Sequence, residues 1–486
     1  MIFFILHQIT SFEPFGYRDE SEEVIINCSS ELSGEVVIPR TVKEIYSKSE
    51  YDYAFKNCYW KITSIKFEED SEIISISNYS FYWTKIKSAD LSNCNHLTLL
   101  NESVFYKSYG LKSIKLPQNI LSIGGKCFYI NLALSSIDLP DSVEIIYEGA
   151  FSGSGLTTIN ISKNSKLKKL DSGCFFGTNL IKIFIPKSLN EISSEVFNRC
   201  KYLENITVDP ENEYYKSDSK SLFTGTDNST LFKVVESYSE SEYIVPNYVT
   251  NISDWCFFNA NISSIQLHNN ISWIGSSTFS YCTNLTFITI PESVTSIGYS
   301  TFYSCTSLTY ITIPEGVTYI GEAAFVGCTS LTNITIPESV TYIGDGAFYH
   351  CSSLTNIIIS GNNIEYIGDG AFNSNENPIN FFIPRKFILD ESSIHTNSYP
   401  FGSNLYITSQ TVLTNSSKVF FGEKSVHVHF DNTIKLSDQT TIDVLQYISI
   451  ENISIPLYIP KTIHNNVCYE SKFFHLTNLF ININKA

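Results

Sequence analysis

The 486-residue chain lacks the patterns that mark several classes of protein. It has no stretch of 18 apolar residues, so the sequence predicts no membrane-spanning segment. There is no C-x-x-C pair and the nine histidines are scattered, so neither a metal site nor any other cofactor is expected. The first eight residues hold an apolar run of five with no basic residue ahead of it. A secretory signal needs about 7–15 apolar residues behind a positive region, so none is predicted.

Basic residues are also few. Lys and Arg total 32 against 49 Asp and Glu, which gives a net charge of −17. Proteins that bind nucleic acid nonspecifically need a basic surface, and the sequence shows no Lys/Arg cluster. Nucleic acid is therefore not an expected partner, and an anionic membrane surface is disfavoured for the same reason. With 43% hydrophobic residues, 30 Tyr and 34 Phe, the composition is that of a folded protein.

The most distinctive feature of the chain is an internal sequence repeat. Between Gly275 and Cys351, three residue types recur every 23 positions. The sets are Gly275, Gly298, Gly321 and Gly344; Phe279, Phe302, Phe325 and Phe348; and Cys282, Cys305, Cys328 and Cys351. A period of about 20–29 residues around an L-x-x-I-x-I core is typical of a leucine-rich-repeat solenoid. This pattern predicts the fold class.

One copy shows why the unit has these residues. From Leu308, apolar residues alternate along a strand that Pro314 ends, because proline cannot donate to a ladder. A second inward-facing segment ends at Ile320, and Gly321 suits a tight turn or a positive φ. Phe325 then packs from the convex side. Stacked copies place their strands in one parallel sheet on the concave face.

The repeat can be traced over residues 36–385, which divides the chain into three parts. Residues 1–35 are expected to form an N-terminal cap. Residues 386–486 are expected to form a β-rich C-terminal cap or small domain, because terminal repeats are atypical. Within that part, Val426–Phe430 and Tyr447–Ile450 alternate as strands do.

The period breaks at about residues 209–246. There a Gly/Asp/Asn/Ser turn separates the apolar pairs Leu222–Phe223 and Leu231–Phe232. This arrangement predicts a β-hairpin insertion that bulges from the solenoid without breaking the stack.

The unit L-x-x-I-x-I-P-x-x-V-x-x-I-G-x-x-A-F-x-x-C resembles that of the BspA-like leucine-rich-repeat family of bacterial and protozoan surface antigens, over about residues 36–385. The hairpin interruption is similar to one common in that family. The 23-residue period leaves room for only short turns or 3-10 segments on the convex face. The resemblance implies a cell-surface or extracellular role in adhesion to host proteins or cells. A cytoplasmic location is the alternative, because the sequence shows no clear signal peptide or anchor.

The outward positions of the strands would form one surface on the concave sheet, which is the candidate site for a protein or glycan ligand. Aromatic residues among Thr and Asn offer contact area at small entropic cost. The same residue types also have high strand propensity, which is the structural alternative. The candidate binding residues are Phe184, Asn205, Phe287, Thr289, Tyr310, Thr312, Asn333, Thr335, Asn356 and Ile358.

The twelve cysteines are an even number that could suggest disulfides. Most occupy two repeat positions, where stacking would hold the Cα atoms within bridging range but with parallel Cβ vectors. Free buried thiols that act as small hydrophobes are therefore expected.

Together these observations predict a non-enzymatic binding protein. A catalytic solenoid needs carboxylate pairs or Arg and Lys converging on one strand face, whereas Lys182 is almost alone among the outward positions. Two alternatives remain: an intracellular repeat scaffold for protein–protein interaction, and a solenoid enzyme acting on carbohydrate.

Overall fold

The computed structural model describes residues 14–225, 227–361, 363–373, 380–383, 404–407, 426–430, 450–455 and 478–481. The predicted fold class is confirmed, since each repeat is one coil of a β-solenoid with parallel strands. A coil consists of a first strand of three to six residues, a second strand of two to five residues and a turn segment. In the described residues there is no helix. The chain forms two units, residues 1–226 with 235–237 and residues 227–234 with 238–486.

In the first unit, most first strands pair in parallel with the first strand of a neighbouring coil, and so do the second strands. The first strands are β3 (Gly34–Ile38), β5 (Ile62–Phe67), β7 (Ser88–Asp90), β9 (Ser113–Lys115), β11 (Ser136–Asp138), β13 (Thr158–Asn160), β15 (Lys182–Ile185) and β17 (Asn205–Val208). The second strands are β2 (Val24–Cys28), β4 (Glu44–Ile45), β6 (Ser75–Ile76), β8 (Leu99–Leu100), β10 (Ser122–Ile123), β12 (Ile145–Ile146), β14 (Lys169–Leu170) and β16 (Glu191–Ile192). At the start, β1 (Phe15–Tyr17) pairs antiparallel with β2, so the stack is already under way within residues 1–35.

The second unit repeats this arrangement. Its first strands are β21 (Glu242–Ile244), β23 (Ser264–Gln266), β25 (Phe287–Thr289), β27 (Tyr310–Thr312), β29 (Asn333–Ile336), β31 (Asn356–Ile359) and β33 (Asn380–Ile383). Its second strands are β20 (Thr230–Val234), β22 (Asn251–Ile252), β24 (Trp273–Ile274), β26 (Ser296–Ile297), β28 (Tyr319–Ile320), β30 (Tyr342–Ile343) and β32 (Tyr366–Ile367).

Beyond residue 385, further strands continue the parallel pairing of β33. They are β34 (Asn404–Ile407), β35 (Val426–Phe430), β36 (Ile450–Ile455) and β37 (Asn478–Ile481). The predicted strand at Val426–Phe430 is confirmed. The other predicted strand falls mostly outside the described residues, and β36 begins at its last residue, Ile450.

The interruption of the repeat at about residues 209–246 contains strands of its own. In the first unit, β18 (Tyr215–Ser217) and β19 (Ser221–Thr224) form an antiparallel hairpin. In the second unit, β20 pairs in parallel with β22 and so serves as a second strand. The side chains of Leu222 and Leu231 are fully buried. The apolar pairs on both sides of the turn therefore contribute to the core.

Stacked phenylalanine rings form the centre of each unit. In the second unit the rings of Phe279, Phe302, Phe325 and Phe348 stack with centroids 5.0–5.2 Å apart and planes within 17° of parallel. All four side chains are fully buried. Offset stacking of this kind adds to the free energy gained by burying the rings, so the constant phenylalanine is the main apolar anchor of each coil.

The residue three positions after the phenylalanine closes the coil by a hydrogen bond. The thiol of Cys328 donates to the carbonyl of Phe302 in the preceding coil, over 3.2 Å, and Cys305 and Cys351 make equivalent bonds of 3.1 Å to Phe279 and Phe325. In the first unit the same bond is made by other donors, among them Ser108, Asn131 and Cys200. This position therefore selects a small side chain with a hydrogen to donate, and cysteine is more than a small hydrophobe here.

At two of the recurring positions, Gly321 and Gly344, the close approach of the neighbouring coil requires glycine. A Cβ at Gly321 would lie 2.7 Å from the carbonyl carbon of Gly298, and one at Gly344 would lie 2.3 Å from the backbone nitrogen of Glu322. Neither Gly321 nor Gly344 has a positive φ. The expectation of a positive φ is therefore wrong at these positions, because adjacent coils leave no room for a side chain.

One pair of cysteines departs from the expected free thiols. Cys28 and Cys58 form a disulfide. Cys28 lies on β2 whereas Cys58 occupies the coil-closing position, so their Cβ vectors are not those of stacked equivalents, and the geometric objection to bridging does not apply. Nine further cysteines in the described residues are free and buried, as predicted.

Exchanging a core phenylalanine for alanine tests the role of the ring stack. We expect Phe302→Ala to lower the free energy of unfolding by about 3–5 kcal/mol, because it removes a fully buried ring from between two others. The matched control is Phe287→Ala, whose ring is 48% exposed and which should cost about 0.5 kcal/mol. Denaturant unfolding measures both, and equal losses would contradict the proposed anchoring.

The buried thiols predict low reactivity in the native state. Burial raises the pKa of Cys94 and of Cys351 to about 12 and places that of Cys305 and Cys328 well above its usual range. In a Cys468→Ser background, an aromatic disulfide reagent at about pH 8 should therefore detect almost no thiol until denaturant is added. Thr312→Cys, which adds a thiol at an exposed position, should react at once. Rapid labelling of a native cysteine would show that the core opens readily.

Candidate functional site

Eight of the ten predicted binding residues lie on the outward side of the first strands in the second unit. They form two parallel rows, because residues at the same strand position are paired from β23 to β25 to β27 and from β29 to β31, and β27 and β29 are neighbours. We call these two rows the first-strand surface. One row holds Ser264, Phe287, Tyr310, Asn333 and Asn356, and the other holds Gln266, Thr289, Thr312, Thr335 and Ile358.

Two aromatic residues stand next to each other in the first row. Phe287 and Tyr310 are paired on β25 and β27, and their side chains are 48% and 52% exposed. On the same two strands, Ile288 and Ile311 point into the core and are almost fully buried. The exposed rings are thus placed by the strand alternation itself, so their position is as fixed as the core beneath them.

The next part of the row is a ladder of amides. The Nδ2 of Asn356 donates to the Oδ1 of Asn333 over 2.6 Å, and the Nδ2 of Asn380 donates to the Oδ1 of Asn356 over 2.9 Å. Asn380 continues the row on β33 and was not among the predicted residues. Its signal in the sequence is weak, because one inserted residue precedes it and Pro378 stands where other copies of the repeat have leucine. Each amide orients the next, so this stretch presents fixed donors and acceptors.

Beside the amides lies a row of hydroxyl and aliphatic side chains. Thr289, Thr312 and Thr335 are exposed, and Ile358 is 39% exposed. The hydroxyl of Thr312 donates to the phenol oxygen of Tyr310 over 3.2 Å. The residues of the two rows include no carboxylate, imidazole or thiol. This surface therefore offers contact area and hydrogen bonds rather than acid–base chemistry.

The other two predicted residues lie in the first unit. Phe184 on β15 and Asn205 on β17 are both half-buried. Beside β17 the chain folds back, since the nitrogen of Ile206 donates to the carbonyl of Ser219 over 2.9 Å. The Asn205 side-chain oxygen is buried without a hydrogen-bond partner. This segment covers part of the strand that was expected to be open.

A second ordered set of aromatics escaped the sequence analysis because it lies on the second strands. The rings of Tyr319, Tyr342 and Tyr366 stack with centroids 4.7 and 4.5 Å apart. The hydroxyl of Tyr366 donates to Asp345 over 3.0 Å, and burial, together with this hydrogen bond, raises the pKa of Tyr366 to about 12. The signal was available, because tyrosine precedes Ile-Gly in these three coils.

Neither a metal-binding cluster nor a membrane-spanning helix occurs in the described residues. No group of three or more His, Cys, Asp or Glu side chains in this part of the chain is placed to hold a metal ion. Nor is there, in the same residues, a helix with the length and apolarity needed to cross a membrane.

Comparison with solved structures agrees with the architecture. The pneumococcal vaccine antigen PcpA superimposes with a TM-score of 0.56 at 20% identity, over 80% of this chain and 87% of that one. A leucine-rich-repeat protein from Bacteroides ovatus matches with a TM-score of 0.48 at 26% identity, over 75% and 92% of the two chains. A leucine-rich cell surface protein from Faecalibacterium prausnitzii matches with a TM-score of 0.46 at 25% identity, over 67% and 78%.

Among curated proteins there is no match to the chain. A family model is decisive. The model described as a BspA type leucine-rich repeat region, present in six copies, matches residues 27–132, 122–240, 228–325 and 295–427. These segments cover most of the chain and coincide with the coils of the structure. The chain therefore belongs to the family of proteins with BspA-type leucine-rich repeats.

Proposed function

We propose that this protein is a non-enzymatic, adhesin-like surface protein that recognises a protein or glycan partner through the first-strand surface of its second unit. The main support is the pairing of Phe287 with Tyr310 next to the amide ladder that begins at Asn333. Exposed aromatics supply contact area, and the amides supply directional hydrogen bonds. The two together are what a recognition site requires.

The rigidity of the first-strand surface also supports the proposal. Each outward residue lies on a short strand. Backbone hydrogen bonds hold that strand to the neighbouring coils, and its inward side chains pack in the core that contains the ring stack. A ligand would meet side chains that are already ordered, so little conformational entropy is lost on binding. Strand propensity would by itself account for Thr and aromatic residues on these strands. It does not account for a chain of hydrogen-bonded asparagines, because asparagine is disfavoured in strands.

A surface or extracellular location is favoured by two observations. The family match places the chain among repeat proteins that include cell-surface examples. The Cys28–Cys58 disulfide is a bond that persists in oxidising compartments and is rare in the cytosol. The opposing observation is the large number of free thiols, but all nine in the described residues are buried and so are protected from oxidation.

Removing both exposed rings tests the site. We expect Phe287→Ala with Tyr310→Ala to weaken binding to a responsive probe by about tenfold or more, because each lost aromatic contact is worth on the order of 1 kcal/mol. Probes are immobilised extracellular-matrix proteins and a glycan array, read by surface plasmon resonance. The control is Trp273→Ala with Tyr299→Ala, which removes two rings that are 44% and 51% exposed but lie off the first strands. Equal loss in both variants, or no binding by the wild type to any probe, would contradict the assignment.

The location is tested on intact cells. If the protein is displayed outside the cell, a membrane-impermeant amine reagent should label its many exposed lysines without lysis, and fractionation should recover it with the envelope or the medium. A cytosolic enzyme from the same cells controls for leakage. Labelling that requires lysis would favour the alternative of an intracellular scaffold for protein–protein interaction.

A further inference from the structure

The first unit contains an open groove that lies apart from the first-strand surface. It encloses a volume of about 580 Å³, a size common among ligand sites. Three aromatic and three basic side chains dominate its lining: Tyr59, Trp83, Tyr109, Lys85, Lys87 and Lys112. All six come from the segments that lead from a turn into the next first strand.

The groove exists because one of these segments is short. Ile86 follows Phe81 by five positions, whereas Ile62 follows Phe55 by seven and Leu111 follows Phe105 by six. All these end residues are fully buried, so the ends of the segments are aligned and the difference in length appears at the surface. The short segment forms the floor, and the longer segments on either side form the walls.

The floor is closely packed against one of the walls. A Cβ at Gly110 would lie 3.2 Å from the carbonyl oxygens of Lys85 and Ile86. The nitrogen of Lys85 donates to the carbonyl of Tyr59 over 2.8 Å, and that of Lys112 donates to the carbonyl of Lys87 over 2.8 Å. The backbone of the groove is therefore held across three coils, and the site is formed in advance of any ligand.

The aromatic side of the groove is built on Trp83. Its ring stacks on that of Tyr59, with centroids 5.9 Å apart and planes 19° from parallel, and the side chain remains 51% exposed. Trp83 has a φ of 54°, a conformation that bulky residues rarely adopt. Lys107 and Ile130 hold this position in the next two coils with φ of 56° and 54°, so the left-handed backbone is a feature of the repeat and fixes the direction in which the Trp83 side chain leaves it.

The charge of the groove is opposite to that of the chain. Lys85, Lys87 and Lys112 are exposed, and no carboxylate is among the lining residues. In the described residues none of the three has an acidic partner within 4.0 Å. In a chain with a net charge of −17, a groove with three uncompensated ammonium groups is a local positive field. The sequence concealed it, because Lys112 is distant in the chain from the other two.

We propose that this groove binds an acidic polysaccharide. The partly positive C–H groups of a pyranose face stack on the electron-rich faces of Trp83 and Tyr109, while sulfate or carboxylate groups along the glycan pair with the three lysines. The site shares no residue with the first-strand surface, so it does not depend on the function proposed for that surface.

The shape and chemistry favour a glycan over other anions. An acidic peptide would use the charges but would leave the aromatic faces without a matching surface. Single-stranded nucleic acid would use both the lysines and the aromatic faces. Its backbone charges are recognised along extended basic grooves, however, whereas this groove offers only three ammonium groups over three coils. Binding of an acidic peptide and binding of single-stranded nucleic acid are both measured in the experiment below.

The test uses the full chain and measures binding to heparin as the sulfated probe and polygalacturonate as the carboxylated one. Dextran, polyglutamate and an oligothymidylate serve as comparisons. We expect Trp83→Ala, and separately the triple variant Lys85→Ser, Lys87→Ser and Lys112→Ser, to weaken binding to an acidic polysaccharide by about tenfold or more. Binding by the wild type should also fall as NaCl is raised from about 0.05 to 0.5 M, since the charges are exposed.

The matched controls separate the groove from general charge. Lys48→Ser, Lys163→Ser and Lys166→Ser together remove the same charge from exposed positions outside the groove, and Trp273→Ala removes an exposed tryptophan of the other unit. Both should leave heparin and polygalacturonate binding within about twofold of the wild type. The Phe287→Ala, Tyr310→Ala variant should also leave it unchanged, which keeps this proposal distinct from the first. Equal loss in the control triple, absence of polysaccharide binding, or equal binding of polyglutamate or oligothymidylate would overturn it.

Discussion

The structure depends on one contact that recurs between many neighbouring coils in each unit. A buried phenylalanine stacks on its equivalents, and the carbonyl of that same residue accepts a hydrogen bond from the closing side chain of the next coil. The same phenylalanine therefore contributes a buried ring and a backbone carbonyl that is paired by a hydrogen bond. Because buried carbonyls must be paired, the closing position tolerates cysteine, serine or asparagine but would penalise a larger apolar residue. The strands, the close glycine contacts and the outward rows are all placed by the spacing that this contact sets.

The constant positions of the repeat made the fold predictable, and they explain little about binding. Leu, Ile, Val and Phe at fixed intervals indicate which side chains are buried, and the alternation along a strand then indicates which ones face outward. Phe287, Tyr310 and Asn333 could be placed on one surface by that reasoning alone. Whether such a surface binds a ligand depends on side-chain identity rather than on pattern, and the period contains no information about it.

Other features could not be read from the sequence because they depend on differences between coils. The groove beside Trp83 results from a difference of one or two residues in the length of a segment, and it gathers lysines that are far apart in the chain. The Cys28–Cys58 bridge was missed because Cys28 lies outside the repeat register, where reasoning from stacked equivalents does not apply. The reason for the recurring glycine also required coordinates, since only they show that the neighbouring coil approaches within 2.7 Å of where a Cβ would be.

The interchangeability of adjacent coils has a further consequence. From Gly298 to Cys351, each coil offers the same ring, the same thiol and the same carbonyl to its neighbours. Deleting or duplicating one 23-residue block there would leave each new junction with the same residues at the constant positions. The stability of the fold would change little. The distance between the exposed rings and the amide ladder, in contrast, would change by about 4.8 Å per block. Unequal recombination within this stretch of the gene is therefore a route to new surfaces that bypasses the usual cost of mutating a core.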